Sequence, residues 1–460
     1  LLILPFYNQN NKNRLSSEDK RMFKKVSWTT LIFLIVASMI LSACAQNTPT
    51  AAPETTEEPA AAEDVVTLTL GSWRTDDVKQ MQVILDEFHK DYPNIIIKFD
   101  PTNPPDYDAA VRTQMEAGTG ADLYYLRAKG SGASHKLYNE GHFLAIDGLP
   151  GLENITDAAI DNWTADDGKV FGVGYIATSA GIYYNQDIFN ELGLSIPQTW
   201  EELIAQAQTI QDAGYIPFSN ATGESWTVPT LLLQNWIPSV IGGVEGRQAY
   251  LDGERCLNGP EFVQAFQMLA DIAPYLPEGQ EALTYYDSQQ LFLQGQAAMW
   301  FGGSWDIPVF EATETDFEWS IMPVPPPAGK DLYFELELDA GVGINAATKH
   351  PEEARTFLSW LTTKKSAQLL AENLPGFFPM TKDEIELDNV YANKFLELIA
   401  SAKGSDIRFY MNEGTPDSTT LMTDLGIAVI KGEITAEEAA NQMYEGISSW
   451  HEGQKNCKSN

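Results

Sequence analysis

The chain is poor in metal-binding residues, in positive charge and in long apolar runs. It has three cysteines and five histidines in 460 residues. None stands in a His-x-x-x-His or Cys-x-x-Cys setting, which argues against a zinc site, and no cofactor is expected. Lys and Arg number 29 against 64 Asp and Glu, a formal charge of −35. Such a field repels nucleic acid and anionic headgroups, so nucleic acid is excluded as a partner. A strongly anionic ligand is disfavoured unless a local basic pocket exists. The uncharged apolar stretch from Leu31 to Leu41 is shorter than the roughly 20 residues a spanning helix needs. No internal repeat is present.

What is present begins with Met22-Phe23-Lys24-Lys25, followed by that apolar stretch and by Leu41-Ser42-Ala43-Cys44. Charge followed by a short apolar run is an export signal. The last four residues resemble a bacterial lipobox, which implies a diacylglycerol on Cys44 and a tether outside the cytoplasm. Residues 1–21 are expected to precede the true start at Met22, 22–43 to be the signal peptide, and 44–64 to be the lipidated Cys with a disordered stalk of Ala, Thr, Pro and Glu. Removing residues 1–43 takes away six basic and two acidic residues and leaves 23 against 62, a formal charge of −39. Cys256 and Cys457 then remain, free to form a disulfide or to stay as two thiols.

From Val65 onward the pattern changes. Residues 66–70 alternate as a strand, 76–92 follow helical spacing, 95–99 form a second strand, 106–117 a helix and 123–126 a third strand. Strand-helix alternation of this kind predicts an α/β fold with mostly parallel sheets flanked by helices. Further strands are predicted at 170–173, 181–184 and 297–301. Further helices are predicted at 199–213, 261–273, 286–294, 351–361 and 437–450, with Thr199 and Glu202 spaced as a capping box. Aromatic and apolar content is ample for a core, and the length suggests two lobes.

Several segments together resemble the sugar-binding branch of the extracellular solute-binding proteins of ABC importers, the family that includes maltose-binding protein. They are Gly118-Thr119-Gly120-Ala121-Asp122; Tyr184-Asn185-Gln186-Asp187-Ile188-Phe189 running into Gly193-Leu194, Pro197 and Thr199-Trp200; Gly295-Gln296-Ala297-Ala298-Met299 with Gly303-Ser304-Trp305; and Gly341-Val342-Gly343-Ile344-Asn345 followed by Pro351 and Glu352. The resemblance implies the periplasmic-binding-protein fold, two lobes joined by a multi-strand hinge with ligand between them. It places crossings near 174–179, 339–343 and 376–381. One lobe is then 65–175 with 342–378, and the other 178–338 with 380–456. It also implies a monomer with a carbohydrate ligand and an ABC permease as partner.

A pyranose presents apolar C–H faces and a hydroxyl rim, so its site needs flat aromatic surface beside directional polar groups. Trp305 and Asp306 fit this best, the indole as platform and the carboxylate as acceptor. Trp226 lies where the family places an aromatic platform. Trp73 and Arg74 follow the first strand, where a parallel sheet opens toward ligand. Tyr125, Arg127, Asp339, Arg408 and Tyr410 complete the candidates. Core packing is the alternative for the indoles, and backbone capping is the expectation for Asp122. Trp200, Trp300, Trp319, Trp360 and Trp450 read as core. The alternatives in function are a non-sugar solute (polyol, glycerol phosphate, peptide), an iron binder using paired tyrosines, or a glycoside-processing enzyme using Glu335 and Glu337.

Overall fold

Alternating apolar residues fold Val66–Ser72 (β1) and Ile95–Pro101 (β2) into parallel partners, in register from Val66↔Ile95 to Ser72↔Pro101. The computed structural model describes residues 65–131 and 133–458, so the expected signal peptide, Cys44 and stalk lie outside the described residues. The helix Val78–Asp91 connects β1 to β2 and buries Met81, Ile84, Leu85 and Phe88, one face at a 3.6-residue period. A second helix, Pro104–Ala117, ends where Gly118 adopts a left-handed φ of 65°. It leads into Leu123–Leu126 (β3), parallel to β1.

The remaining strands are Val173–Asn185 (β4), Ile216–Phe218 (β5), Ala297–Gly303 (β6), Trp319–Met322 (β7), Tyr333–Ile344 (β8), Phe378–Pro379 (β9) and Gly404–Ile407 (β10). The order is β2-β1-β3-β8-β4-β6-β5, with β10 on β8 and with β7 and β9 on β4. The fold is α/β as predicted, but β4 and β8 run antiparallel to their main partners. Residues 173–179 of β4 pair with β8, while 180–185 pair with β6 and β7. Likewise β8 pairs with β10 through Tyr333–Leu336 and with β3 through Gly341–Ile344. Residues 337–340 therefore lie between the two pairings.

These long strands differ from the sequence-based expectations. The strands predicted at 170–173 and 181–184 are one element, β4, which starts only at Val173; Val170 instead makes an isolated bridge to Thr164. β8 is not among the predicted strands, because Glu335, Glu337 and Asp339 occupy alternate positions where a core strand would carry apolar residues. At Thr199 the box is half formed. Its hydroxyl accepts from Glu202 N at 3.3 Å, but the Glu202 carboxylate takes the N–H of Gln198.

Two apolar clusters hold the molecule. One runs from Leu68 and Phe88 through Trp163 and Phe357 and continues through Tyr183, Trp300 and Trp305. The other gathers Trp200, Trp236, Phe262 and Met443. Trp200, Trp300, Trp319 and Trp360 are buried and Trp450 is half-buried. Asp122 caps backbone as expected, accepting from Thr69 N at 2.9 Å and from the Thr348 hydroxyl at 2.7 Å. Cys256 and Cys457 are joined in a disulfide with Cα atoms 5.3 Å apart, which decides between bridge and thiols. Beside it the buried Gln454 side chain bonds Tyr250 O, Arg255 O and Leu257 N. At Gly376, φ is +92° and a Cβ would fall 1.9 Å from Ser304 O, so only glycine fits there. The Ser304 hydroxyl donates to Gly376 O at 2.5 Å and accepts from Ser179 N at 3.1 Å, tying three segments together.

Candidate ligand-binding cleft

The C-terminal ends of β1 and β3 open into a cavity of about 940 Å³. Strand ends in a parallel sheet leave their loops free to carry side chains inward. Trp73 and Arg74 follow β1, Tyr125 and Leu126 end β3, and Arg127 follows it. The loop at Glu224–Trp226, the start of the helix Tyr285–Leu293, Trp305, and residues 408–420 supply other lining residues. From β8 come Glu337 and Asp339, in the stretch between its two pairings.

Of the ten candidates, Trp73, Arg74, Tyr125, Arg127, Trp226, Trp305, Asp339, Arg408 and Tyr410 line this cavity. Asp306 does not. Its carboxylate accepts from the Tyr285 hydroxyl at 2.6 Å, from Gln289 Nε2 at 2.9 Å and from Gly303 N at 2.9 Å. That corrects the expectation of a ligand acceptor: protein donors occupy both oxygens. Burial pushes the Asp306 carboxyl up to about 7, against the pull of the bonds from Tyr285 and Gly303.

The indoles are mounted in different ways. Trp305 Nε1 donates to the Tyr285 hydroxyl at 3.0 Å, so Asp306 orients the indole through Tyr285. Its ring lies against Gly303, where a Cβ would fall 2.2 Å away. Trp226, half-buried, donates Nε1 to Glu224 at 2.6 Å and packs on Tyr285 with ring centres 4.7 Å apart. Trp73 is enclosed edge-on by Tyr107 and Tyr125, each 5.3 Å away, and the Arg127 guanidinium lies 4.4 Å over its ring. Trp73 is thus a wall with its face partly covered. The Tyr125 hydroxyl bonds Tyr175 and turns toward the core. Tyr410 presses its ring on Gly130, where a Cβ would fall 2.6 Å away.

Each candidate arginine has a carboxylate partner. Arg74 pairs with Asp77 and lies 4.9 Å over Phe377. Arg127 Nε bonds both Asp108 oxygens at 2.9 and 3.1 Å. Arg408 Nε lies 2.5 Å from Glu335 and 3.2 Å from Glu337. Desolvation pushes Glu337 up to about 8; Arg408 opposes this, and Glu335 and Asp339 add to it. Burial also raises Asp339, against the attraction of Arg74, Arg408 and Arg127.

Tyr285 is the residue that sequence reasoning missed. It reads as half of a Tyr-Tyr pair, and the available signal is the Thr284-x-x-Asp287 spacing, which marks a helix start and places Tyr285 in the first turn. Among the described residues no group of three or more His, Cys, Asp or Glu is placed to hold a metal ion. No described helix is long and apolar enough to cross a membrane.

Residues 71–368 match the sequence model of a family described as bacterial extracellular solute-binding protein. The Multiple sugar-binding protein of Streptococcus mutans is 25% identical over 360 residues, 76% of this chain and 80% of its own length. A solved structure from work on xylan utilization by Caldanaerobius polysaccharolyticus superposes with a TM-score of 0.73 at 23% identity, covering 82% of this chain and 99% of that one. A chitin oligosaccharide binding protein superposes with a TM-score of 0.71 at 20% identity, covering 85% and 100%. At these identities the solved structures share the fold.

Proposed function

The chain belongs to the bacterial extracellular solute-binding proteins, and from that membership and its cleft we propose that it captures a sugar or oligosaccharide and hands it intact to the membrane permease of an ABC importer. The carrying observation is a cavity of about 940 Å³ in which Trp226 and Trp305 stand beside Arg408, Glu337 and Asp339. Indole surface suits the C–H faces of a pyranose, and the charged groups suit its hydroxyls. That volume is near the upper end of small-ligand sites, which suits more than one ring. The family binds solutes and does not transform them. Similarity to a Multiple sugar-binding protein supports the sugar over other solutes.

Capture proceeds by closure of two lobes, 65–175 with 342–378 and 178–338 with 380–456, about the crossings near 174–179, 339–343 and 376–381. A ligand touching both lobes stabilises the closed form by its differential contacts. A lipid on Cys44 holds the monomer at the outer face of the membrane, within reach of the permease.

A thermal-shift screen of the purified protein against mono- and oligosaccharides tests the reading. A specific sugar at one hundred times its Kd adds about 2.7 kcal/mol of stability and raises the Tm. Trp305→Ala is expected to abolish that rise while the unliganded protein still melts cooperatively. A rise of the same size in the variant removes Trp305 from the site; no rise with any saccharide removes the sugar.

A further inference from the structure

Four guanidinium groups, those of Arg74, Arg112, Arg127 and Arg408, and the Lys136 ammonium line one cavity of an acidic protein. Taken alone they are the local basic pocket that an anionic ligand would need. Their partners reverse that conclusion. Arg74 is bonded to Asp77, Arg112 to Glu116 and Glu140, Arg127 to Asp108, and Arg408 to Glu335 and Glu337. Four guanidinium groups thus face six partner carboxyl groups before any ligand arrives, and of these Glu337 still holds its proton at neutral pH. Asp339 is a seventh carboxyl group, outside these pairs. It lines the cavity and makes no hydrogen bond to protein among the described residues.

We infer that the cleft selects uncharged, hydroxyl-bearing ligands and rejects their acidic counterparts, with Asp339 as the residue that sets this choice; the inference rests on the sugar-binding reading. A hydroxyl both donates and accepts. Its proton goes to Asp339, and its oxygen accepts from N–H groups that the paired arginines still offer. A paired guanidinium keeps donors but loses its net charge. The carboxylate of a uronate, or the dianion of a phosphate ester, set where that hydroxyl would sit has no proton to give Asp339. It would bring another anion beside Asp339, where a buried charge without a partner is costly.

Titration calorimetry on the purified protein tests this. The probes are neutral mono-, di- and oligosaccharides and, for each that binds, its uronate and its phosphate monoester. The expected result is binding of a neutral sugar, with an affinity that stays constant between low and 0.5 M salt, and acidic counterparts weaker by roughly tenfold or more. Asp339→Asn, which preserves shape, is expected to weaken the neutral sugar by about tenfold and to narrow the discrimination. A melting curve of the unliganded variant checks its fold, and Asp339→Glu is expected to restore part of the discrimination. An acidic counterpart that binds as tightly as the neutral sugar, or an Asp339→Asn variant that binds and discriminates like the parent, overturns the inference and leaves sugar binding intact. Failure of every saccharide to bind overturns both.

Discussion

Glu337 lies in the cavity wall 3.2 Å from Arg408, with Glu335 held by the same guanidinium. Burial outweighs that attraction and lifts its carboxyl to about 8 from an ordinary 4.5. Between those two values the native protein keeps a proton that the unfolded chain has released. The contribution to stability is therefore fully present below about 4.5 and is lost as pH rises through about 8. Glu337→Gln removes the titration. Its Tm relative to the parent is expected to rise steadily from pH 5 to pH 8.5, read by calorimetric melts; a pH-independent difference refutes the assignment. Residue types in loops were legible as candidates because Trp beside Asp or Arg at strand ends is a recognisable chemistry. The partners were not. Asp306 reads as a free acceptor next to Trp305, and only packing shows that Tyr285, Gln289 and Gly303 consume it.

Helix starts were legible because caps are local. Thr284 accepts from Asp287 N at 3.1 Å, and Asp287 accepts from Thr284 N at 2.9 Å. This box fixes the first turn of the helix Tyr285–Leu293, which carries Tyr285 against both Trp226 and Trp305. Thr284→Ala is expected to cost about 1 kcal/mol in a urea titration, together with a measurable loss of sugar affinity as the aromatic mount loosens. A stability loss with unchanged affinity would show that the turn does not govern the site. The strand β8 was not legible. Its acidic positions alternate, but strand prediction weighs apolar alternation, and the partner of those charges is Arg408, which follows the neighbouring strand β10. The merging of two predicted strands into β4 has a similar cause. Its two ends pair with different partners, and no local signal records that.

At the scale of the molecule, the bridge between Cys256 and Cys457 closes a loop of 201 residues and pins the chain end around Gln454. Constraining so long a loop in the unfolded chain is expected to be worth about 2–5 kcal/mol. The double variant Cys256→Ser, Cys457→Ser should lose that much in a urea titration while binding sugar unchanged, since neither residue lines the cleft. A loss of binding would tie the chain end to the site.

The order of strands and helices from 65 to 126, the helix faces and the choice of aromatic candidates were determined by the sequence itself, because periodicity, capping and side-chain chemistry act over a few residues. The disulfide, the two long strands β4 and β8 and the pairing of Arg127 and Arg408 were decided by tertiary structure alone. The paired side chains and cysteines lie from 19 to 201 positions apart. Only the folded chain brings those groups together.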